Sequence, residues 1–304
     1  MTDTTVLAAG LGFPEGPVWM PDGSLLCVEL QRGTVDRVHP DGRVETVAEP
    51  GGSPNGLAIG PDGAAYVCNS GGWAFHELMG FTITDLYQPD DYSGGRIERV
   101  DLATGVVTVL YTECDGHPLK GPNDLVFDAA GGMWFTDHGK IRPRERDHGG
   151  VYYAAADGSE ITEVIYPLES PNGVGLSPEG DRLYVAETHT GRVHWWPVIG
   201  PGQVERLSPV GAGGLVLAGL PGFQLFDSLA LDSDGNVVLA TLVNGGLTVV
   251  APEGEILEHV PFDDPFVTNV CFGGDDLRTA FVTCSGTGRV VTRPWPRPGL
   301  ALAF

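Results

Sequence analysis

Six short phrases in this chain share one shape: FPEGPVW, SPNGLAI, GPNDLVF, SPNGVGL, LFDSLAL and FVTNVCF. In each, a single polar residue feeds an apolar run, and those residues are Glu15, Asn55, Asn123, Asn172, Asp227 and Asn269. All six are carboxylates or amides, with no thiol and no imidazole among them. Brought to one point, they form the ligand set of a hard cation, Ca²⁺ first, with Mg²⁺ or Mn²⁺ as alternatives and Zn²⁺ as a further one. Two carboxylates balance a divalent charge, and amide oxygens fill coordination positions without adding repulsion. Asn55 and Asn172 also fit ordinary Asn-Gly turns. That explanation weakens for Asn123, Asp227 and Asn269, which precede Asp, Ser and Val, and a glutamate buried at such a point is costly unless it is paired or bound to a metal.

The phrases head longer repeats such as SPNGLAIGPDGAAYVCNS, GPNDLVFDAAGGMWFTDH and SPNGVGLSPEGDRLYVAET. Each reads as strand, tight turn, strand, because β-branched and aromatic residues flank a dipeptide that tolerates positive φ. Two more short strands usually follow, as in GTVDRVHPDGRVETVAE. Four strands recurring at a period of about 50 residues predict an all-β fold, a six-bladed β-propeller with about four antiparallel strands per blade. The N-terminal TTVLAAGLGFPEG resembles VETVAEPGGSPNG, the last strand of one unit leading into the next. The N-terminal strand is therefore expected to be the outer strand of the last blade, closing the ring. The first strand of a propeller blade lines the axis, so the six polar residues would meet at one mouth of the channel.

The length of 304 residues fits one toroidal domain, 1–304. A formal charge of −23 and a pI near 4.4 exclude a nucleic-acid or anionic-membrane partner, since the summed field repels phosphate. Five cysteines without a CxxC pair suggest free thiols rather than disulfides or a zinc site. With no signal segment and no long apolar run, the expected location is cytoplasmic. No GxSxG motif supports a serine hydrolase.

The second unit carries an insertion at about 72–95, GGWAFHELMGFTITDLYQPDDYSGG, rich in Trp73, Phe75, Phe81 and Tyr87. It is either packed on the neighbouring blade or a lid over the site. His138 and His189 leave the second strands of blades three and four, where a loop could turn over the site. With Trp73, Asn55, Asn123 and Asn269 they are the candidate substrate contacts. HGKIRPRERDHGG gathers Lys140, Arg142, Arg144 and Arg146; it is a solvated loop or an attractor for a carboxylate-bearing or phosphorylated substrate.

FPEGPVW, GPNDLVFD, SPNGVGLS, DSLALDSDGNVVLA and TNVCFGGDDLRTAFVT together resemble the gluconolactonase-like family that includes regucalcin (senescence marker protein 30), six-bladed propellers similar in fold to diisopropylfluorophosphatase. The resemblance covers nearly the whole chain. It implies Glu15, Asn172 and Asp227 as metal ligands, Asn123 as a further ligand or a substrate contact, and Asp227 as general base or nucleophile. Regucalcin-like members carry an arginine two residues before this asparagine, whereas this chain has Gly121, which sets ordinary gluconolactone specificity apart. The expected function is metal-dependent hydrolysis of a small lactone, sugar-derived or of another hydroxy acid, with the metal as Lewis acid. The alternatives are esterase or phosphotriesterase-like hydrolysis at the same metal, or a non-catalytic calcium-binding scaffold.

Overall fold

The computed structural model describes residues 4–304. Six antiparallel sheets follow one another along the chain. Their innermost strands are Pro14–Trp19, Pro54–Ile59, Pro122–Phe127, Pro171–Leu176, Leu225–Leu231 and Val267–Gly273. Five sheets have four strands; blade four gains a short fifth, Gln203–Val204. Thr5–Ala9 pairs antiparallel with Arg289–Pro294, Thr5 opposite Thr292 and Ala9 opposite Arg289. The N-terminal strand therefore completes blade six and closes the ring, as the sequence suggests.

The turns after the inner strands depend on glycine. Gly23 and Gly63 sit at φ of 86° and 75°, closing turns in which their N–H groups donate to Met20 and Gly60. The second strands, such as Leu25–Glu29 and Ala65–Asn69, are buried at every position because blades pack against them on both faces. They therefore read as continuous apolar runs rather than alternating ones.

The core is divided into six wedges, one between each pair of neighbouring blades. Phe13, Leu26 and Val28 meet Leu57 and Val67 between blades one and two, and Tyr66 and Ile97 meet Phe127 and Phe135 between two and three. The last wedge, Ala8, Val290 and Phe281 against Leu25 and Val38, joins blade six to blade one. All five cysteines are free, four of them buried in these wedges. Among the described residues, the helical structure is one 3₁₀ turn, Ser285–Thr287.

A second repeated device fixes where each inner strand begins. Glu29, Asn69, Asp137 and Glu187 end the second strands of the first four blades. Their side chains accept backbone N–H groups from the loops entering the inner strands: Gly12 to Glu29, Ser53 to Asn69, Lys120 and Gly121 to Asp137, and Glu169 to Glu187. These acceptors satisfy loop N–H groups that would otherwise be buried unpaired.

Candidate functional site

Because strands alternate in direction, the start of every inner strand shares one rim of the ring with the loop joining the second and third strands. The six openings, the insertion, His138 and His189 therefore occupy one face. Strand pairing sets the level of each opening. Leu57 pairs with Val67, Leu125 with Phe135, Val174 with Val185, Leu229 with Leu239 and Val270 with Val282. Counting back from these, Asn55, Asn123, Asn172 and Asp227 are level, as is Glu15 in blade one. In blade six, however, that level is held by Thr268, and Asn269 lies one residue deeper beside Gly56, Asp124 and Ser228. The sixth phrase therefore sits one residue out of the expected register. The glycines at the deeper level are needed for approach: a Cβ on Gly56 would stand 2.5 Å from the Asn123 carbonyl oxygen and 2.7 Å from the Asp124 Cα.

Glu15 is 2% exposed, and its Oε2 accepts from Gly16 N–H at 2.9 Å and from Asn269 Nδ2 at 2.8 Å. Burial raises its pKa to about 7, against the opposing effect of those hydrogen bonds. Asp227 is half-buried. Its pKa is raised first by loss of water and then by the neighbouring Glu15, and the Asn172 amide opposes this. Asn172 is held on three sides: its Nδ2 donates to Thr188 Oγ1 at 3.1 Å, its backbone oxygen accepts from Thr136 Oγ1 at 2.6 Å, and Ser228 Oγ lies 3.5 Å from Oδ1. Thr136 Oγ1 also accepts from Asp124 N–H at 3.1 Å, tying blade three to blade four at the site. Asn123 Oδ1 is buried without any hydrogen-bond partner.

Asp124 is a third carboxylate that the sequence reading passed over. It is buried, and its pKa is raised to about 7 by desolvation and by the charge of Glu15. The signal was present: in the deeper position, where most phrases carry Gly, Ser or Val, only GPND places an acid. No ion pair among the described residues includes Glu15, Asp124 or Asp227.

No three His, Cys, Asp or Glu side chains among the described residues form a ready cluster for a metal ion. The candidate set is instead two carboxylates with amides. It fits a hard divalent cation on two counts: the Asn123 oxygen is a buried acceptor without a donor, and carboxylates gather with no cationic side chain to balance them.

The insertion reaches across the rim from blade two. Its hairpin, Phe75–Leu78 and Phe81–Thr84, sets Phe75 5.5 Å from Phe13 before blade one and Phe81 6.3 Å from Phe266 before blade six. Trp73 stays on the blade-two side, its backbone N–H donating to Ser53 Oγ at 3.0 Å and its ring 6.1 Å from His138. His138 lies 5.7 Å from His189. Burial lowers the His138 pKa to about 3, and the His189 pKa is lowered for the same reason, so both rings are neutral donor–acceptor groups.

The basic stretch divides. Arg142 makes two bonds to Asp147, at 3.0 and 2.8 Å, Arg146 contacts Ser170 and Glu169, and Arg144 is exposed. Lys140 is buried, contrary to a fully solvated loop. On the opposite face, a cavity of about 730 Å³ is lined by Ile59, Phe127, Leu176, Leu231 and Phe272, with Leu300–Phe304 at its edge. Its lining is mostly apolar, and Gly16, Asp124 and Asn269 stand at its inner end beside the site.

A six-bladed propeller whose axial mouth gathers carboxylates and amides defines the class. Residues 13–286 match the SMP-30/Gluconolactonase/LRE-like region, and the chain belongs to that family. The gluconolactonase of Zymomonas mobilis is 26% identical over 93% of this chain and 79% of its own length. Lactonase drp35 of Staphylococcus saprophyticus is 31% identical over 80% of this chain and 69% of its own. Among solved structures, a gluconolactonase from Xanthomonas campestris superposes with a TM-score of 0.75 at 23% identity, covering 96% of this chain and 89% of that one. A calcium-binding protein, regucalcin, from Agrobacterium tumefaciens superposes with a TM-score of 0.71 at 17% identity, covering 98% and 99%. These superpositions speak to the fold.

Proposed function

We propose that this protein hydrolyses a small lactone, with Asp227 as general base and a divalent cation held by Glu15, Asn123, Asn172 and Asp227. The observation that carries this reading is the meeting of Glu15 and Asp227, two carboxylates without a cationic partner, beside the unpartnered Asn123 oxygen. Family membership and the lactonase relatives give the reaction class, and the regucalcin neighbour described as calcium-binding puts Ca²⁺ first. When bound, the cation supplies Lewis-acid polarisation of the lactone carbonyl and offsets developing negative charge.

The chain's own residues do the rest. Asp227 accepts a proton from the attacking water as its oxygen bonds to the carbonyl carbon. The ring carbon–oxygen bond breaks, the ring oxygen takes up a proton, and a hydroxy acid leaves. Asn172, fixed by Thr188 and Thr136, orients Asp227. Asn55, His138 and His189 offer neutral donors and acceptors to substrate hydroxyls, and Trp73 gives an apolar wall. The insertion acts as a lid that excludes bulk water from the mouth. The protein is expected to act in the cytoplasm.

The test is proton release from five- and six-membered lactones by chelator-treated protein resupplied with Ca²⁺, Mn²⁺, Zn²⁺ or Mg²⁺. Cation-restored turnover is the expected result. Turnover of aryl esters or phosphotriesters but of no lactone would move the chemistry to the esterase alternative. Cation binding without turnover of any of these would make the ion structural.

A further inference from the structure

The blade-three loop holds a buried lysine whose ammonium makes no ion pair with a carboxylate among the described residues. Lys140 is 2% exposed. Its Nζ donates to the Gly72 carbonyl at 2.8 Å and lies 4.2 Å from the Trp73 ring centroid and 5.5 Å from that of Tyr92. No ion pair among the described residues includes it. Asp137, the nearest acid along the chain, is committed to the N–H groups of Lys120, Gly121 and Gly139. An ammonium has three donors, and one is used here. Desolvation lowers the Lys140 pKa to about 7, against the opposing charge of Asp137.

Other unfilled donors lie around it. Trp73 Nε1 is buried without a partner, and the neutral His138 ring has only a long 3.4 Å contact from Nδ1 to the Gly139 oxygen. All belong to the same side of the mouth. Trp73 is anchored at Ser53, two residues before Asn55. The Lys140 Cε lies 3.5 Å from where a Cβ on Gly121 would stand, two residues before Asn123. Glu15 and Asp227 come from blades one and five.

A buried ammonium with spare donors, flanked by an unpaired indole N–H and a neutral imidazole, is completed by an anionic oxygen acceptor. We infer that the substrate of this site is a lactone bearing a carboxylate, bound by Lys140, Trp73 and His138 on the side of blades two and three. The inference rests on the lactonase reading and adds the substrate class. One ammonium matches one negative charge; a phosphate dianion would bring a second into a chain already at −23. Lys140 also ties the insertion to blade three through Trp73, but a mere tether would affect charged and neutral substrates alike.

The test compares 5-oxotetrahydrofuran-2-carboxylate with its carboxamide, two lactones of one shape that differ in charge. The wild-type kcat/KM ratio of carboxylate to carboxamide is expected to exceed tenfold. Lys140→Met should lower that ratio at least tenfold, Trp73→Phe should lower it less, and Lys140→Arg should retain part of it. Circular dichroism and thermal melts check that each variant folds. A wild-type ratio near one, or a ratio unchanged in Lys140→Met, overturns the inference and leaves the lactonase reading standing. If neither lactone turns over, calorimetric binding of 2-hydroxyglutarate, the product of the first, decides. Binding weakened at least tenfold in Lys140→Met supports the subsite, and equal or absent binding overturns it.

Discussion

Chelating divalent cations should make the stability of this protein fall as pH rises from 5 to 8. Glu15 carries the largest share that can be worked out. Burial raises its pKa from 4.5 to about 7, which corresponds to about 3 kcal/mol of folding free energy. The sign follows from proton linkage: between pH 4.5 and 7 the unfolded chain has released this proton while the folded one still holds it. The contribution is therefore fully present below 4.5, is lost as pH climbs, and is gone above about 7. Asp124, raised to about 7, and Asp227, also raised, act in the same direction, but the three carboxylates share one patch and their contributions do not add. For 304 residues the unfolding entropy is about 0.6 kcal/mol/K, so Glu15 alone is expected to lower Tm by about 5 °C across this range. A bound cation replaces the proton as partner of the carboxylate, so saturating Ca²⁺ should remove most of the slope and stabilise more at pH 8 than at pH 5. The assay is differential scanning calorimetry with EDTA or with Ca²⁺, in about 0.5 M KCl to screen repulsion among surface acids. Glu15→Gln in EDTA should show a flatter profile than wild type. A chelated Tm that is level from pH 5 to 8, or an equal Ca²⁺ effect at both ends, would refute the reasoning.

Three further outcomes are expected. Asp227→Asn should lower lactone turnover by about 100-fold or more while the fold survives, as for loss of a general base; unchanged turnover would remove that role from Asp227. Gly56→Ala drives a Cβ into the backbone of Asn123 and Asp124, so a loss of about 3 kcal/mol, or about 5 °C in Tm, should accompany reduced activity. Replacing the hairpin Phe75–Thr84 with a short Gly-Ser loop should leave the blades folded, judged by far-UV circular dichroism, and raise KM several-fold, whereas unchanged kinetics would show that the flap does not cover the substrate.

The ring was legible because one phrase recurs, and its polar first residue marks where each inner strand begins. Closure by Thr5–Ala9 was legible too, since the segment repeats the outer-strand pattern of blade one. The level of Asn269 was not. FVTN looks like the other openings, but alignment by the polar letter cannot see that Val270, not Cys271, pairs level with Leu57 and Leu229. Asp124 was overlooked because it stands beside the asparagine that fits the pattern, and its burial depends on neighbouring strands. Lys140 sits in a run of charges that looks solvated in sequence. What sets it apart from Arg142 and Arg144 is the loop turning it onto Trp73 and Tyr92, contacts made from another blade.

The joint in blade six gives the site a place in the order of folding. Glu15 accepts from Asn269 across 254 positions of sequence, and Ser285 donates to the Pro14 carbonyl across 271. Neither contact can form until the first blade has met the last. Five blades can assemble from neighbouring segments as they emerge from the ribosome, yet the mouth stays incomplete until nearly the whole polypeptide is available. Such distant pairing is slow relative to local strand formation. Appearance of the Glu15 environment should thus be a late event in refolding, and a mouth complete enough for chemistry is one whose ring has already closed.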